Sequence, residues 1–117
     1  MTNQLNIGSI FGATITTDDI ERTAQPYIID LNYKLHSFHK ISKELATTMN
    51  TIAHLGTKCL ILRPESKPYP WIRFIESKKF KNYKAMTTYG WHSLEINVQN
   101  VDSIPKMLNN SVFKIIG

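Results

Sequence analysis

Trp71 and Arg73 stand two apart in the segment Trp71-Ile-Arg-Phe-Ile-Glu76. On a strand, residues two apart share a face. A guanidinium beside an aromatic ring suits a carboxylate or a planar ligand. The alternative for Arg73 is an ion pair with Glu65 or Glu76. The chain has four histidines. His36 and His39 are three apart on a predicted strand, so strict alternation turns them to opposite faces and prevents joint chelation. His54 falls near a predicted helix end, where an imidazole can meet the last carbonyls. Cys59 is the single cysteine and lies in the apolar run Cys59-Leu60-Ile61-Leu62. It cannot form an internal disulfide and is expected to be a buried strand residue. The sequence contains no Gly-rich phosphate loop, no Gly-x-Ser-x-Gly elbow, no His-Glu-x-x-His pair and no Cys-x-x-Cys.

The 117 residues suffice for one modest core, and an apolar content of 42% with 20% charged residues is ordinary for a folded domain. A net charge of +5 raises the question of nucleic acid. The densest cluster, Lys78, Lys79, Lys81 and Lys84, interleaves with Phe80 and Tyr83, the pattern a single-strand binder uses. It lies in one polar stretch between apolar segments and reads as a solvated linker, so no nucleic-acid partner is expected. The longest apolar runs are too short to span a bilayer, and no membrane partner is expected. Residues 1–6 are polar and show no secretory signal, which with the lone cysteine fits a reducing cytoplasm.

Periodicity supplies the elements that position these residues. Residues 7–17 read as a strand, with Ala13, Ile15 and Thr17 on one face and Thr14 and Thr16 on the other. Thr17 or Asp18 offers a cap to a helix whose apolar positions are Ile20, Ala24, Tyr27, Ile28 and Leu31. Pro26 predicts a kink or a late start in that helix. A strand over 33–41 precedes a second helix, capped by Ser42 and carrying Leu45, Ala46, Met49, Ile52 and Ala53, with Gly56 at its end. Strands follow over 57–62 and 69–77, joined by a turn with three prolines between residues 64 and 70. Of the last strand, Trp71, Arg73 and Ile75 face one way and Ile72, Phe74 and Glu76 the other. Beyond the polar stretch 78–90, a strand over 91–98, a helix over 100–110 and a strand over 112–116 are expected.

Gly12-Ala-Thr-Ile-Thr-Thr-Asp-Asp-Ile-Glu lies over Ser93-Leu-Glu-Ile-Asn-Val-Gln-Asn-Val-Asp without a gap. Ile15 falls on Ile96, Thr17 on Val98, Asp19 on Asn100 and Ile20 on Val101. Both stretches read as a strand, a polar cap and an amphipathic helix, which predicts two copies of one unit sharing a curved sheet. The stretch from Thr16 through Asp18-Asp19-Ile20-Glu21 to Pro26-Tyr27 and Leu31-Asn32-Tyr33 resembles the opening of a glyoxalase-type module. Leu60-Ile-Leu-Arg-Pro-Glu65 with Trp71-Ile-Arg-Phe-Ile-Glu76 is similar to the last two strands of such a module. Gly90-Trp-His-Ser-Leu-Glu-Ile-Asn-Val-Gln-Asn-Val-Asp102 resembles the start of the next. The family is the glyoxalase, bleomycin-resistance and dioxygenase (vicinal oxygen chelate) superfamily.

The resemblance implies an α+β fold: a βαβββ module of glyoxalase type with an extra helix, followed by an incomplete second module (βαβ). The implied boundaries are 1–77 for the first module, 78–90 for a linker and 91–117 for a truncated second module of a longer protein. An unfinished sheet leaves open edges, so a homodimer or strand exchange through them is expected. In the family, paired modules form a cup in which a divalent metal held by His, Gln or Glu acts as Lewis acid on two neighbouring substrate oxygens. Carried over by position, the first-strand ligand falls on Gly12, its second-module counterpart on Ser93 and the last-strand ligand on Glu76. His92 adjoins Ser93, and a bulge there would turn it into the cup. Glycine supplies no donor and serine a poor one, so no cofactor is expected in this chain, and a Zn, Mn, Ni or Fe ion only in a full-length parent. Glu76 is the metal-ligand candidate; Arg73, Trp71 and His92 are the candidates for contact with a small-molecule ligand. Two functions follow from the resemblance. One is a domain of a lyase, isomerase or ring-cleaving dioxygenase, this chain alone being inactive. The other is a metal-free binding or resistance module.

Overall fold

Asp19, rather than the expected Thr17 or Asp18, caps the first helix. It has extended backbone angles, φ −148° and ψ 99°, and its carboxylate accepts the Arg22 N–H at 2.9 Å. That satisfies one of the donors a helix start leaves free. In the computed structural model, which describes residues 8–116, this cap joins strand β1 (Gly12–Thr17) to helix α1 (Ile20–Leu31). The helix runs through Pro26 and starts at Ile20, not after the proline. Proline removes the N–H that would bond the Arg22 carbonyl, and Arg22 lies on the exposed side of the helix, where water can replace it. Asn32 ends α1 in the left-handed region (φ 56°) and returns its N–H to the Tyr27 carbonyl.

Strand β2 (Tyr33–Lys40) leads to helix α2 (Lys43–Thr48), capped by the Ser42 hydroxyl on the Leu45 N–H at 3.1 Å. The helix expected through residue 53 stops five residues earlier. The Asn50 N–H bonds the Thr47 carbonyl and the Thr51 N–H bonds the Ala46 carbonyl, with Asn50 at φ 52°. This is the Schellman closure, and asparagine tolerates its left-handed residue. Gly56, expected at the helix end, instead turns the chain into the next strand: its N–H bonds Ile41 O while Ile41 N–H bonds Thr57 O. A single 3₁₀ turn, Ile52–His54, fills the interval.

Strands β3 (Lys58–Pro64) and β4 (Trp71–Glu76) complete one four-stranded sheet in the order β1-β4-β3-β2. β1 and β4 are parallel, and the other two pairs are antiparallel. The observed architecture is therefore α+β. α1 covers one face. There Ile20, Ala24, Tyr33, Leu60, Leu62, Ile72 and Phe74 form the main core, with Ile15, Tyr27 and Leu31 against it. Each fully buried Ile, Leu or Phe contributes about 2 kcal/mol. A second, smaller core of Ile41, Ala46, Cys59 and Ile75 lies on the opposite face under α2, with Leu45 and Met49.

The two halves of the internal echo have different surroundings. Residues 91–98 form no strand, nor do 112–116, and 78–100 are exposed. The expected incomplete second module is thus corrected to a segment without paired strands. An alternating pattern makes a strand only when a neighbour accepts its backbone bonds, and no described residue does so here. The cap chemistry does persist. Asn100, at φ −137° and ψ 97°, accepts the Asp102 N–H at 3.1 Å and opens a 3₁₀ turn, Val101–Ser103, that runs into the short helix α3 (Ile104–Met107). This segment packs on the end of α1. The rings of Phe113 and Tyr27 meet edge to face at 5.2 Å, and Ser111 Oγ donates to Asp30 Oδ2 at 2.5 Å. Leu31 and Tyr33 share an apolar cleft of about 290 Å³ with Ile96, Val98, Val101, Ile104 and Met107. The polar stretch 1–6, the strand start at residue 7 and Gly117 lie outside the described residues. No described helix is long and apolar enough to cross a membrane.

Candidate functional site

The sheet face opposite α1 is built in rows that the register defines. Gly12 pairs with Trp71, Thr14 with Arg73 and Thr16 with Ile75. Arg73 pairs with Ile61 and Ile75 with Cys59. Lys34 pairs with Arg63, Ser37 with Ile61 and His39 with Cys59. One row therefore holds Thr16, Ile75, Cys59 and His39, and α2 packs over its centre. The next holds Thr14, Arg73, Ile61 and Ser37. The last brings Gly12, Trp71, Arg63 and Lys34 to the end of the sheet that α2 leaves uncovered.

Trp71 and Arg73 share this face, as their spacing predicts. The Arg73 guanidinium carbon lies 4.8 Å from the centre of the Trp71 ring. Nη1 of the same group donates to Met49 Sδ at 3.0 Å. Neither acidic partner weighed for Arg73 holds it. Glu65 pairs with Lys34 at 3.6 Å, and Glu76 pairs with Lys58 at 3.7 Å. Arg63 escaped the sequence reading, although its alternation with Ile61 and Cys59 was the available signal. Both arginines are half-buried, and the Nε of each is buried without a hydrogen-bond partner among the described residues.

The metal-ligand positions do not converge. The indole of Trp71 lies over Gly12 so closely that a Cβ there would fall 2.1 Å from Cδ2. Glu76 pairs with Thr17, five residues along from the Gly12–Trp71 pair. An odd separation puts it on the α1 face, away from Gly12. His92 sits in the exposed stretch after β4, and its Nε2 donates to the Thr88 carbonyl. Among the described residues no three His, Cys, Asp or Glu side chains come together. The donor set does not fit a divalent ion held by Gly12, Glu76 and Ser93, and no step through a metal follows from it.

His36 departs from the alternation assumed for it. The β2–β3 register shifts between Leu35 and Ser37, leaving His36 unpaired in an irregularity and placing Ser37 and His39 on the Ile61–Cys59 face. Cys59 is fully buried and free, as expected of the apolar run. Burial pushes its thiol pKa up, while the charge of Arg73 pulls it the other way. Burial likewise raises the Tyr27 and Tyr33 phenols, and the neighbouring Tyr27 raises Tyr33 further. Comparison of the chain with protein-family models, with curated proteins and with solved structures gives no match in any of the three.

Proposed function

We propose that residues 12–76 form a glyoxalase-type module that holds a small organic molecule on the sheet face opposite α1 without a metal. The connectivity supports the module: strand, helix, strand, strand, strand in one sheet, with α2 as the extra helix. The reading rests on this part of the chain, since the segment after it forms no paired strands. The observation that carries the metal-free half is the Gly12–Trp71 contact. The position where the resemblance puts a metal ligand lacks a side chain, and an indole occupies the space one would take. Glu76, the only donor of suitable type among the carried-over positions, turns to the other face and pairs with Lys58. What is left on the open face is aromatic, apolar, hydroxyl-bearing and cationic, with His39 two rows away from Trp71, a lining suited to binding and orienting a ligand. A buried, unpaired Cys59 accords with work in a reducing cytoplasm.

Equilibrium dialysis against Zn, Mn, Ni and Fe(II) tests the reading. The expected result is no one-to-one retention. Stoichiometric retention that disappears in Glu76→Ala would overturn it and restore the metal-dependent lyase, isomerase or dioxygenase reading.

A further inference from the structure

Four strands contribute to the face opposite α1; none of their residues on it is acidic, and Glu65, just past the end of β3, is held by Lys34 at 3.6 Å. By the pairing register its side chains are Gly12, Thr14 and Thr16 from β1, Trp71, Arg73 and Ile75 from β4, Cys59, Ile61 and Arg63 from β3, and Lys34, Ser37 and His39 from β2. Arg63 and Arg73 are diagonal neighbours on adjacent strands, because Ile61 faces Arg73 and Arg63 is two residues along. Such positions lie about 7–8 Å apart, within reach of long side chains. Neither arginine is in an ion pair among the described residues, whereas Lys34 and Lys58 both are.

A guanidinium keeps its charge at every physiological pH, so it cannot lower the cost of burial by losing a proton. Two of them half-buried side by side repel each other, and each leaves its Nε–H without an acceptor. For Arg73, the acceptor bonded among the described residues is the thioether of Met49, a weak one that a better acceptor displaces readily. The guanidinium carbon of Arg73 sits 4.8 Å over the Trp71 ring. The Nε–H of Arg73 stays available, while the ring holds the group in place before any ligand arrives. Thr14 and Ser37 flank Arg73 and Ile61 in the same row and add hydroxyl donors. Ile61 and Trp71 add apolar surface.

We infer that the ligand of this face is a small organic carboxylate with a planar apolar body, its carboxylate shared by Arg73 and Arg63. The inference rests on the metal-free binding reading and narrows it to an anion. The apolar cleft beside α3 carries no comparable inference, because nothing in the structure shows what would cover it.

The test uses the full chain with Trp91→Phe, which leaves Trp71 as the single tryptophan. Its emission is followed during titration with benzoate, benzamide and inorganic phosphate at constant ionic strength. Benzoate is expected to give a saturable change, with benzamide at least about tenfold weaker because it lacks the charge. Arg73→Met is expected to weaken benzoate by about tenfold or more and benzamide by much less. Should Arg73→Met lose the native circular dichroism spectrum, Arg63→Gln carries the same expectation. Equal affinity for benzoate and benzamide, or no saturable response to benzoate, overturns the inference. Phosphate binding as tightly as benzoate also overturns it, since a bare anion would then suffice. None of these outcomes bears on metal retention, so the metal-free reading stands or falls separately in the dialysis experiment.

Discussion

The indole of Trp71 and the backbone of Gly12 form one packing unit across the parallel pair β1 and β4. A Cβ on residue 12 would lie 2.1 Å from Cδ2 and 2.4 Å from both Cε2 and Cε3 of the ring. Gly12 is thus required for the room it leaves. The same contact seats the ring on which Arg73 stacks.

Gly12→Ala is therefore expected to destabilise the protein by about 1–3 kcal/mol, the cost of overpacking a filled site. Urea denaturation measures it. In a Trp71→Ala background the ring is gone, and the same substitution should cost much less. An equal cost in both backgrounds would show that the clash is not the cause.

Phe74 is fully buried at the centre of the α1 face and packs against Tyr27 with ring centres 5.4 Å apart. Phe74→Ala should cost about 3–5 kcal/mol, which exceeds the cost of any surface substitution and approaches the whole stability of a small domain. A midpoint shift corresponding to less than about 1 kcal/mol would mean that the core around Phe74 is not packed as described.

Raising the pH should loosen the α1 face. Burial raises the Tyr27 and Tyr33 phenols above their ordinary value of 10.0. Below pH 10 both are neutral whether the chain is folded or unfolded, and their contribution is fully present. Above pH 10 the unfolded chain ionises first, so unfolding releases protons and stability falls until the folded values are passed. Denaturation at about pH 9 and about pH 11 should show the loss, and Tyr27→Phe should reduce it. A pH-independent midpoint across that window contradicts the burial of these hydroxyls.

Phe113→Ala removes the edge-to-face contact with Tyr27 and should cost about 0.5–1.5 kcal/mol. Hydrogen exchange should quicken in 100–113 and at the end of α1, with little change in β3 and β4. Unchanged protection in 100–113 would mean that this segment does not depend on α1.

The division of labour between sequence and tertiary structure follows from the range of the forces involved. Local chemistry was legible. Ser42 announces a helix start because a cap acts over three residues, the cap expected at Thr17 or Asp18 falls close by at Asp19, and the alternation of 71–76 assigns its faces before any neighbour is known. The apolar runs mark Cys59, Leu60 and Leu62 for burial, and the sheet buries them. Local signals also misled where two of them competed. Asn50 closed α2 before Gly56 could, and the register shift at His36 broke the strict alternation assumed for His36 and His39.

What sequence could not decide is which segments meet. Residues 12–17 and 93–98 carry the same strand pattern and similar caps, yet β1 finds β4 as a neighbour while 93–98 pairs with no described strand. A strand is defined by the backbone bonds another segment supplies, and that supply is not written in the strand's own residues. The same holds at the site. Spacing alone put Trp71 beside Arg73. Only the pairing register brought Arg63 next to them, set Gly12 under the indole and sent Glu76 to the far face, because register couples residues dozens of positions apart.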